Sequence, residues 1–104
     1  MHTISPLEIT FDPSKDAGNR AKHGVSLAEA DKLDWASALL WFDTRKDYGE
    51  PRQGALAVLV DRVYFVAFVD RVHDRRVVRR IISLRKANQR EFDRYVAYLD
   101  STNN

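Results

Sequence analysis

A chain of 104 residues with 44% hydrophobic and 31% charged residues is a single folded domain, and no apolar run nears the roughly 20 residues that span a bilayer. It has no cysteine, which excludes disulfides, thiol catalysis and zinc–thiolate sites, and its His2, His23 and His73 lack ligand spacing; no metal or cofactor is expected, and with no signal peptide the expected location is cytoplasmic. The net charge of +2 is unevenly spread: residues 1–70 carry eight Lys/Arg against eleven Asp/Glu, and residues 71–104 carry nine against four, a balance that suits a polyanion, a solvated face or an acidic protein partner.

After an aperiodic lead-in, Ile9 to Phe11 reads as a short strand. Asp12-Pro13 joins an N-cap side chain to a proline at the first helical position, and Gly24 reads as the stop, predicting a helix over Pro13 to His23. Lys22 and His23 then sit at its negative end. Ser26-Leu27-Ala28-Glu29 has the form of a capping box, with Val25 placed for a staple contact, and predicts a second helix to about Trp35. Ser37 to Asp43 reads as a strand and Thr44 to Pro51 as a polar loop.

Ala55 to Val60 and Val63 to Val69, separated by Asp61-Arg62, predict a tight hairpin. Asp70 to Arg76 reads as a short polar connection to a further strand, Val77 to Leu84. Strand parity in this last strand places Arg79 on the face of Arg85. Asn88-Gln89-Arg90-Glu91 is another capping box, and Phe92, Tyr95, Val96 and Leu99 follow at helical spacing. The resulting order, β-α-α-β-β-β-β-α, describes one α+β domain over residues 1–104, a small antiparallel sheet flanked by helices. Trp35, Trp41, Tyr64 and Phe65 read as core, Asp12 as a cap, and Asn19 as a helix-to-sheet hydrogen-bonding residue.

Three stretches together resemble the BrnT family of toxins. They are Phe11-Asp12-Pro13-Ser14-Lys15 with Asn19, Lys22-His23-Gly24-Val25-Ser26 and Glu29-Ala30; Asp43 to Arg52; and Arg80 to Asn88 with Glu91 and Tyr95. They stand in the family's order and cover about residues 9 to 98, departing from its pattern at Leu27, Gln53-Gly54 and Asp70 to Arg76. The resemblance implies a RelE-like fold and a metal-independent endoribonuclease, the toxin of a bacterial type II toxin–antitoxin pair that inhibits translation and growth. It also implies a BrnA-like antitoxin, assembled with the toxin in a hetero-oligomer, and contact with DNA only through that partner.

Metal-free RNA cleavage uses the 2′-hydroxyl as nucleophile and needs proton-transfer groups and cations for the phosphorane charge. Arginine suits the cationic role because its planar fork holds two phosphate oxygens. Arg85, in the Ser-x-Arg segment at a strand end, is the first candidate and Arg52 the second. His23, assisted by Lys22, is a candidate for proton transfer, since imidazole titrates near working pH. Glu50 is an alternative base. Arg79, Lys86 and Tyr95 are candidates for contacts to RNA, although Tyr95 also lies on the apolar stripe and Glu91 suits a cap better than a catalytic role. The competing readings are a non-catalytic module that binds nucleic acid or antitoxin, as a degenerate toxin acting in operon autoregulation would, and a plain interaction scaffold.

Overall fold

A computed structural model describes residues 7–102 of the chain; His2 lies outside them. A short strand, β1 (Glu8–Phe11), leads into helix α1 (Pro13–His23). The Asp12 carboxylate accepts the Ser14 N–H at 2.8 Å, and Gly24, at φ 74°, closes the helix by donating its N–H to the Arg20 carbonyl. That left-handed φ favours a residue without Cβ.

The segment after α1 differs from the sequence expectation. It forms two short 3-10 helices, Leu27–Lys32 and Trp35–Ser37, in place of one α-helix. The reciprocal box does not close, because Glu29 pairs with Lys32 at 3.3 Å instead of reaching back. Ser26 does cap the segment, its hydroxyl oxygen accepting the Ala28 N–H at 3.1 Å, while Asp16 of α1 stands in for Glu29, accepting the Leu27 N–H at 2.8 Å and the Ser26 hydroxyl at 2.9 Å. Tertiary demand overrides the local signal: Leu27, Ala30 and Leu33 are all buried, a denser apolar face than an isolated amphipathic α-helix would present.

The remaining strands are β2 (Leu39–Phe42), β3 (Gln53–Leu59), β4 (Arg62–His73) and β5 (Arg76–Lys86), followed by helix α2 (Gln89–Thr102). The sheet order is β1-β5-β4-β3-β2; the four later strands are antiparallel and β1 joins the edge parallel to β5. The β3–β4 turn falls on Val60-Asp61, one residue earlier than the sequence suggests, with Val60 at φ 61°. Asp70 to Arg76 is not a loose connection. β4 and β5 run on through it and turn at Asp74 and Arg75, whose φ values of 49° and 68° suit the right-handed twist of a tight hairpin.

One irregularity in β5 decides which of its side chains share a face. Ala67 pairs with Ser83, but Phe68 pairs with Ile81, so Ile82 is an extra residue in β5. A bulge of this kind reverses side-chain parity along the strand. On one face, Ala55, Ala57, Val66, Phe68, Ile81 and Leu84 meet the 3-10 segment in the main core. On the other, Leu56, Val63 and Phe65 pack beneath Tyr95, Tyr98 and Leu99 of α2. Burying Phe68 completely contributes roughly 1.5–3 kcal/mol.

Two anchors attach the helices. Asn19, buried in an otherwise polar α1, donates to the carbonyls of Val25 (2.9 Å) and Leu84 (2.8 Å) and accepts the Leu84 N–H (3.1 Å), as the sequence reading expected. Its amide thereby takes the place of a neighbouring strand where β1 no longer covers β5. At α2, Asn88 and Glu91 close the expected capping box: the Asn88 N–H donates to Glu91 Oε1 at 2.9 Å and the Glu91 N–H donates to Asn88 Oδ1 at 2.8 Å.

Candidate active site

On the α2 face, a cleft of about 350 Å³ opens between the start of β3, the end of β5 and the first turns of α2. Its floor is Trp41, Gly54 and Phe65. A Cβ at Gly54 would stand 2.7 Å from Trp41 Cε2 and Cζ2, so only glycine lets the indole lie against β3. The absence of a side chain at 54 is therefore a packing requirement, and the apparent break in the hydrophobic pattern at Gln53-Gly54 lies inside the strand.

Four arginines line this cleft: Arg45, Arg52, Arg85 and Arg94. Three stack on aromatic rings, with the guanidinium carbon of Arg52 4.0 Å from the Tyr48 centroid, that of Arg85 4.5 Å from Phe65 and that of Arg94 4.4 Å from Trp41. Such stacking fixes the guanidinium planes while leaving N–H edges free. The Nε of Arg52 is buried against this stack and has no hydrogen-bond partner among the described residues, a costly state for a donor.

Two carboxylates share the cleft, giving a surplus of two positive charges. Asp43 accepts Arg45 Nε and Nη2 at 2.9 and 2.8 Å and the Tyr48 hydroxyl at 3.0 Å. The Arg45 hydrogen bonds hold its carboxyl far below the usual carboxylate range. Glu91 accepts Arg85 Nη1 and Nη2 at 2.8 and 2.9 Å, and this pairing lowers its pKa more than burial raises it. Both are ionised at neutral pH, so neither supplies a proton there.

Arg52 and Arg85, the two arginine candidates from sequence, both line this cleft. His23 ends α1 beside β5; its pKa is lowered first by desolvation, then by the charges of Lys22 and Arg85, which places the imidazole within electrostatic reach of the cleft. Lys22 is exposed next to it.

Four other candidates lie elsewhere. The bulge at Ile82 moves Arg79 to the face opposite Arg85, where it stacks on Trp35 and Phe68 and binds Asp70 at 2.7 and 2.8 Å; the shared face read from parity is thus corrected. Glu50 is held outside the cleft by Arg71 at 3.0 Å. Lys86 borders a separate depression with Glu29, Lys32 and Tyr64. Tyr95 is 2% exposed, its hydroxyl donating to the Ser37 carbonyl at 3.0 Å, and burial raises its pKa; it is a core residue. Arg45 and Arg94 were not singled out from sequence. Arg94 had a readable signal, since it follows Glu91 by three residues and so shares its helix flank.

The family model of the BrnT ribonuclease toxin of type II toxin–antitoxin systems matches residues 11–91. Among solved structures, the 1.1 Å crystal structure of the ribonuclease toxin BrnT from Brucella abortus is similar, with 27% identity and a TM-score of 0.60, over 80% of this chain and 99% of that one. A search of curated proteins finds no match. The family match runs from the cap of α1 through every strand that builds the arginine cleft and ends at Glu91, and on that ground the chain belongs to the BrnT family of ribonuclease toxins of type II toxin–antitoxin systems.

Proposed function

We propose that the arginine cleft is the centre at which this chain cleaves RNA, and that it does so without a metal ion. The 2′-hydroxyl attacks the adjacent phosphorus, the 5′-oxygen leaves and takes a proton from water, and a cyclic 2′,3′-phosphate remains. Arg85 and Arg52 hold the phosphate and stabilise the charge that gathers on its oxygens. The observation that carries this reading is the convergence of ring-stacked guanidinium groups, those of Arg52, Arg85 and Arg94, on one cleft of about 350 Å³. Both carboxylates there are committed to arginines, so cations of the protein supply the charge a metal would otherwise provide.

His23 accepts the 2′-hydroxyl proton. Its lowered pKa keeps the imidazole neutral, hence basic, at neutral pH. Lys22, exposed alongside, adds charge at the cleft edge. An antitoxin of the BrnA kind neutralises the toxin by covering this face, and DNA is met only through that partner in a toxin–antitoxin hetero-oligomer. Within the bacterial cytoplasm such cleavage inhibits translation.

Purified chain incubated with naked RNA and EDTA should still produce new RNA ends terminating in a cyclic phosphate. Loss of cleavage in EDTA, restored by a divalent ion, would overturn metal independence. RNA retention without new ends would instead favour a binding module.

The His23 assignment has a pH signature. The neutral imidazole is the active form and its pKa in the fold is lowered from 6.5, so the midpoint of the acid limb of the cleavage rate should lie below pH 6.5. His23→Gln should flatten that acid limb, which a pH–rate profile measures; an acid limb surviving in the variant rejects the role.

A further inference from the structure

We propose that Glu91 is the positioning residue for Arg85: its carboxylate grips the guanidinium end-on and so presents the Nε–Nη2 edge to the scissile phosphate. This rests on the reading of the cleft as the RNA-cleaving centre.

The hydrogen bonds of Arg85 among the described residues all run through Nη1 and Nη2, to Glu91 Oε1 at 2.8 Å, Glu91 Oε2 at 2.9 Å and the Lys86 carbonyl at 3.4 Å. The N–H groups left over are those of Nε and the second hydrogen of Nη2. These two lie parallel on one edge of the guanidinium, the geometry that matches two oxygens of a phosphate. Stacking on Phe65 sets the plane of the group, and the Glu91 grip sets its rotation within that plane. An arginine fixed in both respects loses little further freedom when the phosphate arrives.

Capping alone does not account for Glu91. A cap needs one carboxylate oxygen, and Oε1 fills that role by accepting the Asn88 N–H. Oε2 bonds only Arg85 among the described residues, so half of the carboxylate is given to the guanidinium. Its place in the first turn of α2 favours the ionised carboxylate, since the helix N-terminus attracts a negative charge. The pair is half-buried, with 33% and 19% of the two side chains exposed, which keeps it from being fully screened.

Two variants of the full chain separate positioning from capping. Glu91→Gln keeps an oxygen for the Asn88 N–H but offers Arg85 no two-oxygen grip. Asn88→Ala weakens the cap and leaves the Arg85–Glu91 pair intact. On a defined RNA, Glu91→Gln should lower kcat about tenfold with KM nearly unchanged and Tm close to the parent. Asn88→Ala should lower Tm and keep kcat. A Glu91→Gln enzyme as fast as the parent overturns the inference, and a faster one shows Glu91 to be a plug that substrate must displace. Arg85→Ala in the same assay tells the two failures apart. If it cleaves normally, the reading of the cleft fails; if it is inactive while Glu91→Gln is normal, only the positioning role is lost.

Discussion

Arg85→Ala is expected to reduce RNA cleavage by about 10²–10³-fold and to abolish growth arrest when the chain is expressed alone. The variant loses the fork aimed at the phosphate and also leaves the Glu91 carboxylate without its partner, placing an uncompensated negative charge where a phosphate must approach. The fold should survive, because Arg85 lies above Phe65 at the cleft and contributes nothing to the main core. The measurement is kcat/KM on naked RNA beside a thermal unfolding curve. Arg79→Ala is the internal contrast, since that guanidinium packs on Trp35 and Phe68 across the sheet. It should cost stability and spare the chemistry, and a loss of activity in a well-folded Arg79→Ala with a normal Arg85→Ala would reverse the assignment of faces.

The largest effect on stability is expected at Asn19. Truncation to alanine removes three hydrogen bonds at once and leaves the Leu84 N–H and carbonyl buried and unpaired at the uncovered edge of β5. Each such group costs about 1–3 kcal/mol, so a loss of roughly 2–4 kcal/mol and a fall in Tm of about 10 °C or more should follow. Asn19→Asp keeps an acceptor for the Leu84 N–H but sets a carboxylate against two carbonyl oxygens, and it should be no better. Denaturant unfolding of both variants checks this, and a change below about 1 kcal/mol would mean that α1 is held by its apolar neighbours instead. Because α1 also carries Lys22 and His23, cleavage should weaken along with stability.

The elements written in short-range chemistry were readable in advance. Asp12-Pro13 and Gly24 bound α1 as expected, and Asn88 to Glu91 opens α2, because caps and stops depend on residues a few positions apart. The continuous apolar runs marked β3 and β4 in a similarly local way. The Ser26-Glu29 pattern held by half: Ser26 caps the segment, but Asp16 of α1 stands in for Glu29, and the segment winds into 3-10 turns that bury Leu27 and Leu33. The Asp70 to Arg76 stretch looked like a loop because its polarity suggested solvent, yet Asp70 and Arg79 pair across the strands and continue the hairpin.

The candidate site divides along the same line. Membership of the family was carried by local motifs, which also offered Arg52 and Arg85 as candidates, and both line one cleft. Arg45 and Arg94 join them only through folding, which brings a loop and a helix turn onto the same sheet end. The fate of Arg79 was settled by one extra residue, Ile82. Parity is a rule of an uninterrupted strand, and a bulge exists only where the partner strand skips a residue. The sequence by itself determined the kind of chemistry available, guanidinium groups with a histidine and no thiol. The tertiary structure alone decided which of those groups share a face, because that depends on register between strands, a property of pairs of segments that neither segment carries alone.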